Sequence, residues 1–167
     1  MHDTAFLGRI EVRPPLNEAE RSYLADLAHS RSTLRGTPTG RGDDTVAFVH
    51  LAWEPCETGC CLTWSGHERS RTMQLSLRFL LDHLLRAGAK AAGHKHFGGF
   101  TFDHVLDGTI VGKRYDDDRV YVAEVTANRV GGRSFEPACE QIAASTYELI
   151  CPQPPPDNVI ELRPRRA

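Results

Sequence analysis

The stretch from Thr72 to Gly88 constrains the fold more than any other part of this chain. Met73, Leu77, Leu80, Leu81 and Leu84 recur at helical spacing, and Leu75, Phe79 and Leu85 widen the apolar stripe. Thr72 stands where an N-cap belongs and Gly88 where a C-terminal glycine belongs. A helix with so broad an apolar face needs a sheet to lie across.

Strands to build that sheet follow from the remaining patterning. FLGRIEV (Phe6 to Val12) reads as a strand that ends at Pro14-Pro15. Asn17 and Glu20 match a capping box, and Ala19, Tyr23, Leu24, Leu27 and Ala28 mark one face of a helix ending near His29. TVAFVHLAW (Thr45 to Trp53) and CLTW (Cys61 to Trp64) read as a hairpin that turns at Thr58-Gly59. FTFDHVLDGTIVGKRY is a further strand region, in which Asp107-Gly108 is either a tight turn or a bulge. RVYVAEV (Arg119 to Val125) alternates as its partner, after a solvated turn at Asp116 to Asp118. The polar stretch Ser30 to Asp44 reads as a mobile surface loop.

The order is β-α-β-β-α-β-β. It predicts an α+β fold, a mostly antiparallel sheet with two main helices on one face. Gly131-Gly132 reads as a hinge-like break, so the expected organisation is a core over residues 1–130 and a C-terminal extension over 131–167. A short helix from Pro137 to Ser145 and two short strands are expected in that extension, which packs on the core or on a partner.

A net charge of -2 gives no field to draw nucleic acid or an anionic membrane. The chain lacks a run of ~20 apolar residues and the layout of a secretory leader, and is read as cytoplasmic. Thiols stay reduced there, and five cysteines cannot all pair, so free, metal-bound or reactive cysteines are expected rather than staples. G-x-G-x-x-G and P-loop signatures are missing.

Several phrases occur together: GRIEVRPPLNEAERSYL, a strand ending in Trp53, LTWSGHE, FLLDHLL and FDHVLDGTIVG. They resemble a family of small uncharacterised actinobacterial proteins that open with G-x-I/V-x-V-x-P-P-L-N-x-x-E and carry a W-x-G-x-E segment. The resemblance spans Phe6 to Val130. It implies a strand-to-helix opening, a tryptophan-bearing hairpin, a helix and a long hairpin, and it implies no activity. Where the family carries W-D-G-G-E, this chain has Trp64-Ser65-Gly66-His67-Glu68. The CETGCC tip, the HKHFGG segment and everything after Gly131 depart from the family pattern.

Those departures hold the candidate chemistry. Cys56-x3-Cys60 has the spacing of a zinc knuckle, and His94 and His96 form an H-x-H pair, so the four residues are a candidate Zn set. Cys61 opens a strand and is read as a core residue. An exposed cysteine beside a histidine is also a candidate nucleophile. For acid-base work the candidates are Glu68, His67 and His104, although His104 alternates with Phe102 and Leu106 as a core histidine would. Trp53 and Trp64 lie on paired strands and are read as packing residues, with the lining of a ligand pocket as the alternative.

Two functions follow. One is a small binding or interaction module, with a small-molecule or protein ligand and a second copy in a homodimer as partners. The other is a small metal- or thiol-dependent enzyme, a hydrolase or tailoring enzyme acting on a small molecule.

Overall fold

The computed structural model describes residues 4–30, 32–40, 46, 49–65, 72–114 and 120–135. They form an α+β fold. The elements are β1 (Thr4–Arg13), α1 (Glu18–His29), β2 (Trp53–Pro55), β3 (Cys61–Trp64), α2 (Met73–Leu80), β4 (Val105–Arg114), β5 (Val120–Thr126) and β6 (Arg129–Phe135). All strands join one antiparallel sheet in the order β2-β3-β1-β4-β5-β6. Among the described residues no helix is long and apolar enough to cross a membrane.

β1 and β4 are the spine, paired residue for residue from Thr4↔Arg114 to Arg13↔Val105. Asp107-Gly108 is therefore neither a turn nor a bulge. Gly108 sits mid-strand at φ +146, where an added Cβ would lie 2.5 Å from the Arg9 carbonyl oxygen. Alternation turns Ile10, Val12, Leu62, Leu106, Ile110, Ala123 and Val125 into the core and leaves Arg9, Arg13, Thr109 and Glu124 exposed on the other face.

α2 continues into a wider turn over Leu81–Leu85. The Trp53 indole N–H on edge strand β2 donates to the Met73 carbonyl (3.2 Å) and to Ser76 Oγ (3.0 Å). At the opposite edge, Gln74 Nε2 donates to the Val122 carbonyl and Arg78 to the Val130 carbonyl, both at 3.3 Å. Clasped from both sides, α2 and its continuation bury Met73, Leu77, Phe79, Leu80, Leu81, Leu84 and Leu85, whereas Leu75, expected to widen the stripe, stays exposed. α1 adds Leu24 and Leu27 to the same core. Thr72 precedes α2, but its side chain makes no capping bond.

Three local expectations differ from the structure. Of the described residues in the apolar run up to Trp53, only Trp53 itself joins the sheet; Val49, Leu51, Ala52 and Trp53 are all buried, a pattern no half-exposed strand can show. The polar segment 32–40 is anchored, because Leu34 is fully buried and its N–H donates to the Val49 carbonyl at 2.6 Å. β6 runs straight through Gly131 and Gly132, pairing from Thr126↔Arg129 to Val120↔Phe135, so the sheet continues past the boundary expected at residue 130. Close approach requires glycine at 132: a Cβ there would lie 2.3 Å from the Val122 carbonyl oxygen. The Asp116 to Asp118 turn and the elements expected beyond residue 136 lie outside the described residues.

Candidate thiol site at the β2–β3 hairpin tip

Five residues, Cys56 to Cys60, join β2 to β3. The Cys56 N–H donates to the Cys61 carbonyl (3.0 Å) and the Gly59 N–H to the Cys56 carbonyl (2.9 Å). Gly59 has φ +72, and a Cβ on it would lie 2.4 Å from the Leu16 carbonyl oxygen, so the turn needs glycine twice over.

The tip is tied down to the β1–α1 connection. The Leu16 N–H donates to the Gly59 carbonyl (3.0 Å) and the Val12 N–H to the Cys60 carbonyl (2.8 Å). The Arg21 guanidinium donates to the Glu57 carbonyl. Side chains on so fixed a backbone have only their own rotations left.

Three of those side chains are thiols. The sulfur atoms of Cys56, Cys60 and Cys61 all lie within 4.8 Å of one another, and Cys56 Sγ to Cys60 Sγ is 3.6 Å. The Thr58 hydroxyl donates to Cys60 Sγ at 3.1 Å and lies 3.4 Å from Cys56 Sγ. Cys60 is exposed, Cys56 half-exposed and Cys61 buried.

Cys61 is buried, as its place at the start of a strand leads one to expect, but it stands outside the main core cluster. It pairs with Glu11, while the adjacent pair Ile10↔Leu62 faces the core. Period-two alternation therefore turns Cys61 to the face opposite the core, toward the tip thiols. Applied to CLTW, with Leu62 and Trp64 inward, the same rule finds Cys61 from sequence.

The electrostatics of the thiols diverge. Burial pushes the Cys56 thiol up, but the Thr58 hydroxyl, the Cys61 and Cys60 thiols and the Cys61 amide outweigh it and hold it down at about 6. Burial, reinforced by the Cys56 thiol and by the charges of Cys56 and Cys60, pushes Cys61 up to about 12. One thiolate thus stands ready near neutral pH beside a thiol that holds its proton.

This donor set can hold a metal ion. Zn–S bonds of about 2.3 Å at tetrahedral angles put sulfurs roughly 3.8 Å apart. Small side-chain rotations bring the three sulfurs to that spacing.

His94 and His96 do not join the group. They lie exposed at a short turn around Lys95–Phe97, which Phe97 anchors against Tyr23 and Phe100 with ring centroids 5.1 Å from each. The His94 ring instead accepts from the His96 N–H through Nδ1, at 3.2 Å. His67 and Glu68 lie outside the described residues.

His104 is in the core, 1% exposed, and its ring is engaged on both sides. Nδ1 faces the Pro14 carbonyl at 2.7 Å, and Nε2 faces Glu20 Oε2 at 3.0 Å and Thr101 Oγ1 at 3.1 Å. Glu20, fully buried, also accepts from the Asn17 N–H (2.8 Å), the Thr101 N–H (2.8 Å) and the Thr101 hydroxyl (3.1 Å). The pair ties the start of α1 to the approach to β4. Burial pushes the Glu20 carboxyl up, but the Thr101 and Asn17 amides and the His104 ring outweigh it and hold it below its ordinary value.

Trp53 and Trp64 face each other across β2 and β3, edge to face at 5.2 Å, as packing residues. A cleft of about 230 Å³ is lined by Leu34 and Val49 on one side and by Phe79, Asp82, His83 and Lys90 on the other, among others. It is smaller than the roughly 300–1,000 Å³ of usual ligand pockets. Set against models of protein families, curated proteins and solved structures, the chain finds no match in any of the three.

Proposed function

We propose that this protein is a small binding module whose ligand is a thiophilic d10 cation, Zn²⁺ foremost, taken up by Cys56, Cys60 and Cys61. The observation that carries this reading is the gathering of three thiols within 4.8 Å on a pinned hairpin tip. Thiolate donors select Zn²⁺ and Cu⁺ over oxygen-preferring Mg²⁺ and Ca²⁺. Binding displaces the remaining thiol protons, so affinity rises with pH. Three protein donors leave the fourth tetrahedral position to water or to a donor from a partner. No His, Asp or Glu among the described residues joins the group, which favours binding or hand-over of an ion above hydrolysis.

Cobalt titration of the reduced, chelator-treated protein tests the reading. A one-to-one, intense thiolate-to-cobalt charge-transfer band is expected, discharged by added Zn²⁺, with affinity falling at least about tenfold in Cys60→Ser, in line with loss of one of the three sulfur donors. Absence of the band in the wild-type protein sinks the proposal.

A further inference from the structure

We infer that Cys56 and Cys60 also form a dithiol that exchanges with low-molecular-weight disulfides, closing to an intramolecular disulfide. This chemistry uses two of the sulfurs assigned to the ion but does not depend on metal binding.

The two sulfurs stand 3.6 Å apart at the end of a hairpin whose backbone is held by Leu16, Val12 and Arg21. Closing that gap to the about 2.05 Å of an S–S bond brings the two sulfurs about 1.5 Å nearer each other. Cys60 is exposed and Cys56 half-exposed, so a small disulfide reaches them. Cys61 is buried and opposes Glu11 on β1, which makes it a poor entry point for the same reagent.

The exchange balances in two steps. One tip thiolate attacks a sulfur of the disulfide R–S–S–R; that S–S bond breaks, a mixed disulfide forms, and RS⁻ leaves and takes up a proton. The second tip thiolate then attacks the protein sulfur of the mixed disulfide and expels the second RS⁻. Two electrons pass from the protein sulfurs to the reagent, giving one protein disulfide and two RSH. The Cys-x3-Cys spacing lacks the C-x-x-C helix start of the thioredoxin type, and the hairpin turn at Gly59 supplies the proximity instead.

The test is to incubate the reduced protein with oxidised glutathione in the presence of a chelator and follow it by intact mass and by Glu-C peptide mapping with tandem fragmentation, because Cys60 and Cys61 share the Thr58–Glu68 peptide and only a break between them tells the two sulfurs apart. The expected product has lost two hydrogen atoms, and fragmentation places the link between Cys56 and Cys60. Cys61→Ser closes in the same way, whereas Cys56→Ser and Cys60→Ser stop as glutathione adducts. A wild-type protein that accumulates only glutathione adducts overturns the proposal, as does a map that joins Cys56 to Cys61; both readouts need no variant to fold. With the chelator present throughout, closure without zinc affinity removes only the metal reading, and zinc binding without closure removes only this one.

Discussion

His104 Nε2 lies 3.0 Å from Glu20 Oε2, with 1% and 0% of the two side chains exposed. Removing one partner leaves the other's polar atoms buried without compensation, which costs about 3–5 kcal/mol in a buried pair. Glu20→Ala is therefore expected to lower unfolding free energy by that amount in urea denaturation. A loss below about 1 kcal/mol, the usual scale of an exposed ion pair, would contradict the tie.

The same carboxylate shapes the acid limb of stability. Glu20 is held below its ordinary value when folded, so the unfolded chain binds its proton at higher pH than the folded one. Its contribution is complete above the ordinary carboxylate value of about 4.3 and is lost as pH falls through the lower folded value. Urea midpoints measured from pH 7 down to pH 2 should show a shallower acid decline in Glu20→Gln than in the wild-type protein. Parallel declines would exclude Glu20 as the group responsible.

Alkylation should order the thiols. With Cys56 held down at about 6 and partly exposed, iodoacetamide at neutral pH modifies it early. Cys61, buried and pushed up to about 12, reacts last among the three. Peptide mapping of a time course reads the order directly, and early labelling of Cys61 would refute the arrangement.

Gly59→Ala probes the turn that gathers the sulfurs. Its φ of +72 and the 2.4 Å approach to the Leu16 carbonyl oxygen leave no room for a methyl group. A stability loss of about 1–3 kcal/mol is expected, together with weaker metal binding as the tip shifts. Unchanged affinity in a folded Gly59→Ala protein would detach the site from the turn.

Local signals were legible in the chain and distant ones were not. The Asn17–Glu20 capping box spans three residues and forms as its spacing demands, with bonds of 3.0 and 2.8 Å. The other partners of Glu20, Thr101 and His104, lie more than eighty positions away, and no local pattern joins them. The stripe of α2 was readable because 3.6-residue periodicity is local; that both sheet edges clasp it is a property of topology. The run before Trp53 misled because consecutive buried residues carry no period to separate a strand from an irregular core segment. Cys56 and Cys60 could be paired by spacing, and Cys61 by strand alternation. H-x-H spacing, in contrast, says nothing about which distant donors His94 and His96 meet.

X-ray absorption at the zinc edge of the zinc-loaded, reduced protein is the most direct measurement. The three-thiol site predicts three sulfur neighbours at about 2.3 Å and one lighter atom near 2.0 Å, unchanged in His94→Ala and His96→Ala. A shell with two or fewer sulfurs, imidazole scattering that disappears in either histidine variant, or a protein that fails to load zinc at all would contradict it.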